Sequence, residues 1–403
     1  MQKAILGCLA ATALLNGCGS SDSKSSGPTQ AEVVAVQGVG PTTNFSFDLG
    51  VVVGDKYYVT DRTNASVDVF SLSGPRTVQI AQIKPTGANA FAGQFADNAI
   101  SGPDGINAVG NLLYVGDVNS VKIIDPATNT VVKKIVVGTS GKRADEGCVD
   151  SAHNLYMIST PEAPVPFATF IDTTTQAVVA TVTFNDASGA PAAGLEQCRY
   201  DAATDAFYVN NDGTTAFPNG ELDVLPRTAI QAIATGGTVN YTALTGVKMF
   251  SEGDCDPTGL AIGPGNDIAV NCREGTAGVP LLVQIMDKTT GAILKSINAG
   301  GGDQLEYDPT TNRYYSAASR WTRSGMSSGS ACTAASPCTP VLTIIDAATR
   351  TLVTQLATGN NAHSVAVDPN TRRAFLPVSS DAAPAGCSSC VVGTGGLMVF
   401  GGL

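Results

Sequence analysis

The sequence predicts an all-β fold, a seven-bladed β-propeller built from four-stranded blades. Seven times along the 403 residues an apolar run leads into a strand with an aromatic-valine ending, such as Tyr58-Val59, Tyr114-Val115 or Tyr208-Val209. A period of about 40–60 residues made only of strands and turns is typical of a propeller. Only 14% of the residues are charged, and 44 glycines and 21 prolines supply turns. No segment shows a sustained helical period, and the nearest, 228–234, is short enough to be a loop or one turn.

The repeats predict the blades in order along the chain. The first six span about residues 45–83, 102–138, 143–184, 194–246, 254–300 and 302–359. The seventh runs from Ala362 to Phe400 and is one strand short. The strand 31–36 precedes the first blade, and we expect it to complete the seventh, because closing the ring removes open sheet edges. Residues 31–403 should therefore form one propeller and a monomer; six or eight blades are the alternatives if the boundaries are misplaced.

Residues 1–18 have the pattern of a bacterial lipoprotein signal peptide. Lys3 gives a positive start, and residues 4–15 form an apolar stretch too short to span a membrane. The segment 15–18 then resembles a lipobox that ends in Cys18, the cysteine that carries lipid, although Asn16 is unusual there. Residues 19–30 form a flexible polar tether. We expect a lipid-anchored protein outside the cytoplasm, periplasmic or surface-exposed, on the outer membrane if the cell is Gram-negative. Ordinary secretion is the alternative.

The ten cysteines agree with an oxidising compartment. Cys8 leaves with the signal peptide and Cys18 carries lipid, so eight remain, an even number that favours disulfides. Spacing and repeat position suggest three pairs: Cys148–Cys198 between consecutive repeats, Cys255–Cys272 across a hairpin, and Cys332–Cys338 around a loop tip. Cys387 and Cys390 form C-x-x-C in another loop, where a disulfide, a zinc site and a redox pair all remain open.

One repeat resembles a known family. The segment 113–132, with Leu113-Tyr114-Val115-Gly116-Asp117 and Ile123-Ile124-Asp125-Pro126-Ala127-Thr128, is similar to the YVTN β-propeller repeat of the YncE-like group. The segment 341–359 repeats its second half, and 170–173 and 285–288 are weaker copies. The resemblance covers roughly residues 31–403 and implies the propeller fold, but such propellers include binding proteins, scaffolds and enzymes. The aspartate followed by x-x-Thr should turn the chain between the two outer strands through side-chain hydrogen bonds to the backbone.

A column of polar residues stands where each inner strand begins. When the strands are aligned on their aromatic-valine pairs, the column reads Asp48, Asp104, Asp145, Glu196, Thr258, Asp303 and His363. In a propeller this position is the rim of the central channel. Converging carboxylates suit one divalent cation, Ca²⁺ or Mg²⁺ before others, and the imidazole also admits Mn²⁺, Fe²⁺ or Zn²⁺. A structural column, copied by repeat duplication, is the equal alternative.

Further candidates lie beside this column. The next position along the strands adds Glu146, Gln197 and Gln304, of which the two glutamines are candidate ligand contacts. Arg143 could bind an anionic group of a ligand or pair with the acidic ring. Trp321, the single tryptophan, is a candidate ligand contact on the face or a loop anchor.

Several function classes conflict with the composition. A net charge of −11 without any basic cluster disfavours nucleic acid. There is no phosphate-binding loop, dinucleotide fingerprint or Cys-x-x-Cys-His, and only two histidines, so we expect neither a nucleotide cofactor nor haem.

Two functions remain, and whether the protein is an enzyme stays open. The first is a lipid-anchored propeller that binds a small ligand, a cation or an envelope partner through its channel mouth and face loops. The alternative is a metal-dependent hydrolase or lactonase, or a lyase. There a cation held by Asp145, Glu196 and Asp303 would polarise a carbonyl or water, and His363 or Glu146 would act as general base.

Overall fold

Seven β-sheets stand in a ring in the computed structural model, which describes residues 27–40, 43–273, 276–329, 337–379 and 395–403. The predicted seven-bladed β-propeller is confirmed. The signal peptide with Cys18, and the cysteines Cys332, Cys387 and Cys390, lie outside the described residues. Among the residues described, no helix has the length and apolar character that crossing a membrane requires.

In the first six blades the strands run outward from the channel in chain order. The N-terminal strand is β1 (Thr29–Ala35). Blade one contains β2 (Phe47–Val53), β3 (Lys56–Asp61), β4 (Ser66–Ser71) and β5 (Val78–Ile83). Blade two contains β6 (Ile106–Val109), β7 (Leu112–Asp117), β8 (Ser120–Asp125) and β9 (Thr130–Val136). Blade three contains β10 (Gly147–Asp150), β11 (Leu155–Thr160), β12 (Phe167–Asp172) and β13 (Ala177–Thr183).

The second half of the ring follows the same order with one interruption. Blade four contains β14 (Leu195–Asp201), β15 (Ala206–Asn211), β16 (Glu221–Pro226) and, after an insertion that carries β17 (Gly237–Asn240), β18 (Lys248–Ser251). Blade five contains β19 (Pro257–Ile262), β20 (Asp267–Cys272), β21 (Leu282–Asp287) and β22 (Ile293–Asn298). Blade six contains β23 (Leu305–Asp308), β24 (Arg313–Ala318), β25 (Val341–Asp346) and β26 (Thr351–Ala357). Blade seven contains β27 (Ala366–Asp368), β28 (Arg373–Val378) and β29 (Gly396–Gly401).

The N-terminal strand closes the ring, as the sequence predicts. β1 pairs antiparallel with β29, with Val33 opposite Met398 and Val34 opposite Leu397, and becomes the outermost strand of blade seven. The first and last segments of the propeller therefore share one sheet, and the backbone groups of β29 that would form an open edge are paired.

The insertion in blade four departs from the predicted boundary. The outer strand of this blade is Lys248–Ser251, beyond the expected end at residue 246. Before it, Arg227–Gln231 forms the one α-helix of the described residues, a little more than one turn, and Gly237–Asn240 pairs in parallel with Ala177–Thr183 of blade three. Parallel pairing across two blades has no local sequence signal. Short 3-10 helices occupy Gly87–Asn89, Asn98–Ile100 and Tyr241–Ala243.

The turns between the outer strands have the predicted chemistry. Asp346 Oδ1 accepts hydrogen bonds from the backbone nitrogen and the hydroxyl of Thr349, both at 2.8 Å. Asp172 accepts from the backbone nitrogen of Thr175 at 2.7 Å. In blade two Asp125 accepts from the backbone nitrogen of Ala127 at 2.8 Å. The recurring aspartate therefore satisfies backbone donors at the turn, which explains its place in the repeat.

The core is divided into seven clusters, one between each pair of neighbouring blades. Between blades two and three, for example, Tyr114 and Ile123 pack against Tyr156 and Ile171, all fully buried. The other six clusters join the remaining neighbouring pairs, including blade seven with blade one. Both faces of each sheet are thus buried, which explains why the inner strands read as apolar runs.

Two of the predicted disulfides are present. Cys148–Cys198 joins the inner strands of blades three and four, and Cys255–Cys272 lies within blade five. Cys338 is also disulfide-bonded. The first bond crosslinks neighbouring blades at the channel wall, and its cysteines lie two residues along the chain from Glu146 and from Glu196.

Candidate functional site

The first residues of the inner strands converge on one mouth of the central channel. There they line a cavity of about 340 Å³. From the predicted column and its neighbours the lining includes Asp48, Asp145, Glu146, Glu196, Asp303 and His363, together with Arg143. Because every inner strand begins at the same face, side chains far apart in sequence meet within one small volume.

Two column members lie outside the lining. Asp104 is fully buried behind it, against Arg62 and Arg143. Thr258, also buried, donates its hydroxyl to the carbonyl oxygen of Gly302 at 2.8 Å and so links two inner strands. Five of the seven column residues therefore line the cavity, and the other two form contacts within the protein.

The first carboxylate cluster, Asp48, Asp104 and Asp145, is paired with arginines. Arg62 lies 3.0 Å from Asp48 and 2.5 Å from Asp104, and Arg143 lies 2.7 Å from Asp145. Burial raises the pKa of Asp48, but the Arg62 guanidinium, with Arg143 adding to its effect, holds that pKa well below its usual range. Burial raises the pKa of Asp104 to about 7 against the opposing effect of the arginines. Because guanidinium groups already compensate these carboxylates, this cluster fits a cation poorly.

The second carboxylate cluster, Glu146, Glu196 and Asp303, has far less compensation. One oxygen from each lies within 4.8 Å of the others. Glu146 is only 6% exposed, and its Oε2 has no hydrogen-bond partner among the described residues. Glu196 approaches Arg273 no closer than 3.7 Å. Burial raises the pKa of Glu146 and of Glu196, with Asp303 adding to the first and Asp212 to the second.

An oxygen-only cluster of this kind fits a hard cation such as Ca²⁺ or Mg²⁺. A bound cation would supply the positive charge that Glu146 otherwise lacks, because a buried carboxylate without a partner is strongly disfavoured. Residues of three blades contribute, so the cluster exists only in the closed ring.

His363 belongs to the other half of the cavity. Its Nδ1 donates to the carbonyl oxygen of Asn361 at 2.7 Å, and its ring stacks on Phe47 with 4.6 Å between centroids. Nε2 then lies 3.7 Å from Asp48 Oδ1. The imidazole is thus held firmly on the cavity wall, beside the arginine-paired cluster and not within the second one.

The arginines of the mouth were missed by sequence reasoning, apart from Arg143. Arg62 and Arg273 directly follow the second strands of blades one and five, and Arg320 lies two residues beyond that of blade six. All three line the cavity. The end of the second strand and the start of the inner strand reach the same mouth. An alignment of the residues that follow the second strand of each blade would therefore have found these arginines.

The remaining candidates lie elsewhere. Gln197 and Gln304 lie deeper in the channel, where their Oε1 atoms accept backbone N–H groups of Leu260 at 2.6 Å and Val365 at 2.9 Å. Trp321 is not among the residues that line the mouth; its backbone pairs with Ala318 and Thr339 in the loop of blade six. Whether these three residues bind a ligand stays a prediction.

Comparison with known proteins supports the fold and no closer relationship. No family model matches the chain, and no curated protein matches its sequence. Solved structures similar to it include U3-55K, with a TM-score of 0.58 at 10% identity over 92% of this chain and 98% of that one. The WD40 domain of Neurospora crassa Pan2 has a TM-score of 0.56 at 9% identity over 90% and 89% of the two chains. The WD40 β-propeller domain of Doa1 has a TM-score of 0.56 at 10% identity over 93% and 97%. The resemblance to the YVTN group therefore stays a prediction.

Proposed function

We propose that the protein is a binding propeller whose channel mouth holds a divalent cation, Ca²⁺ or Mg²⁺, on Glu146, Glu196 and Asp303. The observation that carries this proposal is the Glu146 carboxylate, which is buried, faces two further carboxylates, and has no donor on Oε2 in the part of the chain that the structure describes. If a carboxylate of the ring had only a structural role, we would expect it to pair with an arginine, as Asp48 and Asp145 do.

The neighbouring arginines suggest how a ligand would use this ion. Arg273 and Arg320 line the same cavity, so an anionic or polar ligand could bind the cation and a guanidinium together. The cation would then be part of a ligand-binding mouth and also a structural element that joins three blades.

Metal binding by the full chain tests the proposal. The protein, purified without chelator, is analysed for metal content, stripped, and titrated with Ca²⁺ and with Mg²⁺ by calorimetry. We expect a single ion whose saturation raises the melting temperature, because binding at 100 times Kd stabilises a fold by about 2.7 kcal/mol. Absence of binding and of any change in melting with EDTA would remove the proposal.

Two variants localise the ion. Glu146→Gln should weaken binding at least about tenfold, since the site loses a charged ligand. Glu162→Gln removes a carboxylate at the same mouth that pairs with Arg143 and lies outside the cluster, so its affinity should be close to that of the wild type. Equal effects of both variants would point to general electrostatics and not to a site.

A second candidate function, a metal-dependent hydrolase or lactonase, or a lyase, rests on His363. Its Nδ1 is engaged by Asn361, so Nε2 of the neutral ring is the nitrogen available as a general base on the cavity wall. Turnover of a lactone or ester that requires the metal and is lost in His363→Gln would favour catalysis. Metal binding without turnover in such screens would favour the binding role.

The proposed location is outside the cytoplasm, with the protein anchored through lipid on Cys18. The two disulfides support an oxidising compartment. Mass spectrometry of the mature N-terminus would test the anchor: a lipid adduct on Cys18 that Cys18→Ser abolishes is expected, and an unmodified N-terminus downstream of Cys18 would contradict it.

A further inference from the structure

A second cavity, of about 360 Å³, lies farther along the same inner strands, toward the opposite mouth of the channel. One part of its wall is apolar and includes Leu49, Val51, Ile106, Val149 and Ile262, and the remainder is polar. The side chains of Tyr200 and Tyr307 also line it and are partly exposed, so the cavity is open to solvent. Neither the carboxylate cluster nor the arginines of the first mouth belong to this lining.

Two opposite charges face this second cavity without forming an ion pair. Arg199 donates from Nη1 to the carbonyl oxygen of Cys198 at 2.9 Å and from Nη2 to that of Leu305 at 3.1 Å. A guanidinium has five N–H donors, so three remain for a ligand. From the described residues, Glu306 accepts a single hydrogen bond, 3.3 Å long, from the backbone nitrogen of Val367. Both side chains are half-buried, and they are the two charged groups of the lining.

A buried amide donor completes the polar end of the cavity. Gln197 is 1% exposed, and its Oε1 accepts backbone N–H groups of Leu260 at 2.6 Å and Leu305 at 3.3 Å. These two bonds fix the amide, and none of the described residues supplies an acceptor for its Nε2. Gln197 and Arg199 both form hydrogen bonds with the backbone of Leu305, so the two side chains lie at the same end of the cavity.

We infer that this cavity binds a small zwitterion, an α-amino acid with an apolar side chain. The ligand carboxylate accepts from Arg199 and from Gln197 Nε2, the ammonium group faces Glu306, and the side chain packs against the apolar wall. One positive and one negative lining group match the two charges of such a ligand, whereas a simple anion would face Glu306 and a simple cation would face Arg199. This inference does not require the proposed cation, which other residues would hold at the first mouth.

Calorimetry on the full chain with matched probes tests the inference. L-phenylalanine and L-leucine carry both charges, 3-phenylpropionate lacks the ammonium group, and phenethylamine lacks the carboxylate. We expect L-phenylalanine or L-leucine to bind, and each single-charge probe to bind at least about tenfold more weakly than L-phenylalanine. Binding of neither amino acid, or equal binding of 3-phenylpropionate and L-phenylalanine, would overturn the inference.

Variants assign the two charges. Glu306→Gln should weaken the binding of L-phenylalanine and give 3-phenylpropionate the same affinity, because the carboxylate that favours a ligand with an ammonium group has been removed. Arg199→Gln should weaken the binding of both probes. Arg76 is exposed and lies outside the cavity lining, so Arg76→Gln should change the affinity for neither probe. Circular dichroism verifies that each variant is folded. The wild-type probe series decides the inference even if Arg199→Gln does not fold.

Discussion

The buried acid pair of blade one allows a quantitative prediction. Asp61 and Asp68 are both fully buried; Asp61 ends β3, and Asp68 lies within the neighbouring strand β4. Asp68 Oδ1 accepts from Gln82 Nε2 at 2.9 Å and from the Ser66 hydroxyl at 3.2 Å. Burial, with Asp61 adding to it, raises the pKa of Asp68 to about 9. The folded protein therefore keeps a proton on this pair at neutral pH.

The sign of the pH dependence follows from this raised pKa. In the unfolded chain Asp68 ionises near its ordinary value of 3.8, whereas in the fold it stays protonated up to about pH 9. Its contribution to stability is full below pH 4 and is lost as pH rises, by about 1.4 kcal/mol per pH unit. Asp68→Asn keeps the shape and a donor toward Asp61 but does not titrate. As the pH rises from 6 to 8, the free energy of unfolding of the variant should therefore increase by about 2–3 kcal/mol relative to that of the wild type.

Urea denaturation followed by far-UV circular dichroism at pH 5, 6, 7 and 8 measures this gain. Groups that titrate alike in both proteins cancel in the difference between their free energies of unfolding. Asp172→Asn is the control, because hydrogen bonds from Thr175 lower the pKa of that carboxyl. The difference between the unfolding free energies of this variant and the wild type should therefore be constant above pH 5. If the difference in unfolding free energy between Asp68→Asn and the wild type stays constant from pH 6 to pH 8, Asp68 is ionised in the fold and the reasoning is refuted.

Three further predictions concern stability, and urea denaturation at pH 7 measures each. Replacing Cys148 and Cys198 together by Ala should cost about 4 kcal/mol, the loop-closure value for a separation of 50 residues. Lys122→Met should cost about 3–5 kcal/mol, because fully buried Lys122 is the ion-pair partner of Asp117 and its loss leaves that carboxylate uncompensated. Gly147→Ala should cost about 1–3 kcal/mol, because the added methyl group would overlap the hydroxyl of a buried tyrosine on the next strand.

Each of these predictions has a contrasting variant. Replacing Cys255 and Cys272 by Ala should cost about 3 kcal/mol, less than the first pair, because only 17 residues separate them. Adding Asp117→Asn to Lys122→Met should recover part of the loss, and no recovery would contradict the ion-pair account. Gly54→Ala adds a methyl group in open space but at φ +60, so its cost reports backbone strain without overlap.

The fold was predictable because its signals are local and repeated. A strand pattern that recurs seven times needs no long-range information to indicate blades, and the unpaired strand before blade one had a single open edge to complete. Equivalent positions in consecutive repeats predicted Cys148–Cys198 for the same reason. The pairing of Gly237–Asn240 with blade three was not predictable, because nothing in that segment identifies its partner.

The candidate site was predictable in place but not in electrostatics. The acidic column follows from the start of each inner strand, so Asp48, Glu146 and Glu196 could be assigned to one mouth before the structure was known. Their partners could not, since Arg62 and Arg273 arrive from the ends of other strands.

By itself, the sequence determined the strands, their grouping into seven blades, the closing strand and the mouth at which the polar column gathers. These properties depend on alternation, turn residues and repeat length, which are encoded over a few tens of residues. The tertiary structure alone decided which carboxylates have arginines, that Glu146 is buried without a donor, and that Arg199 and Glu306 face one cavity unpaired. Such properties depend on distances of a few ångströms between side chains of different blades, because charge compensation and desolvation fall off over that range.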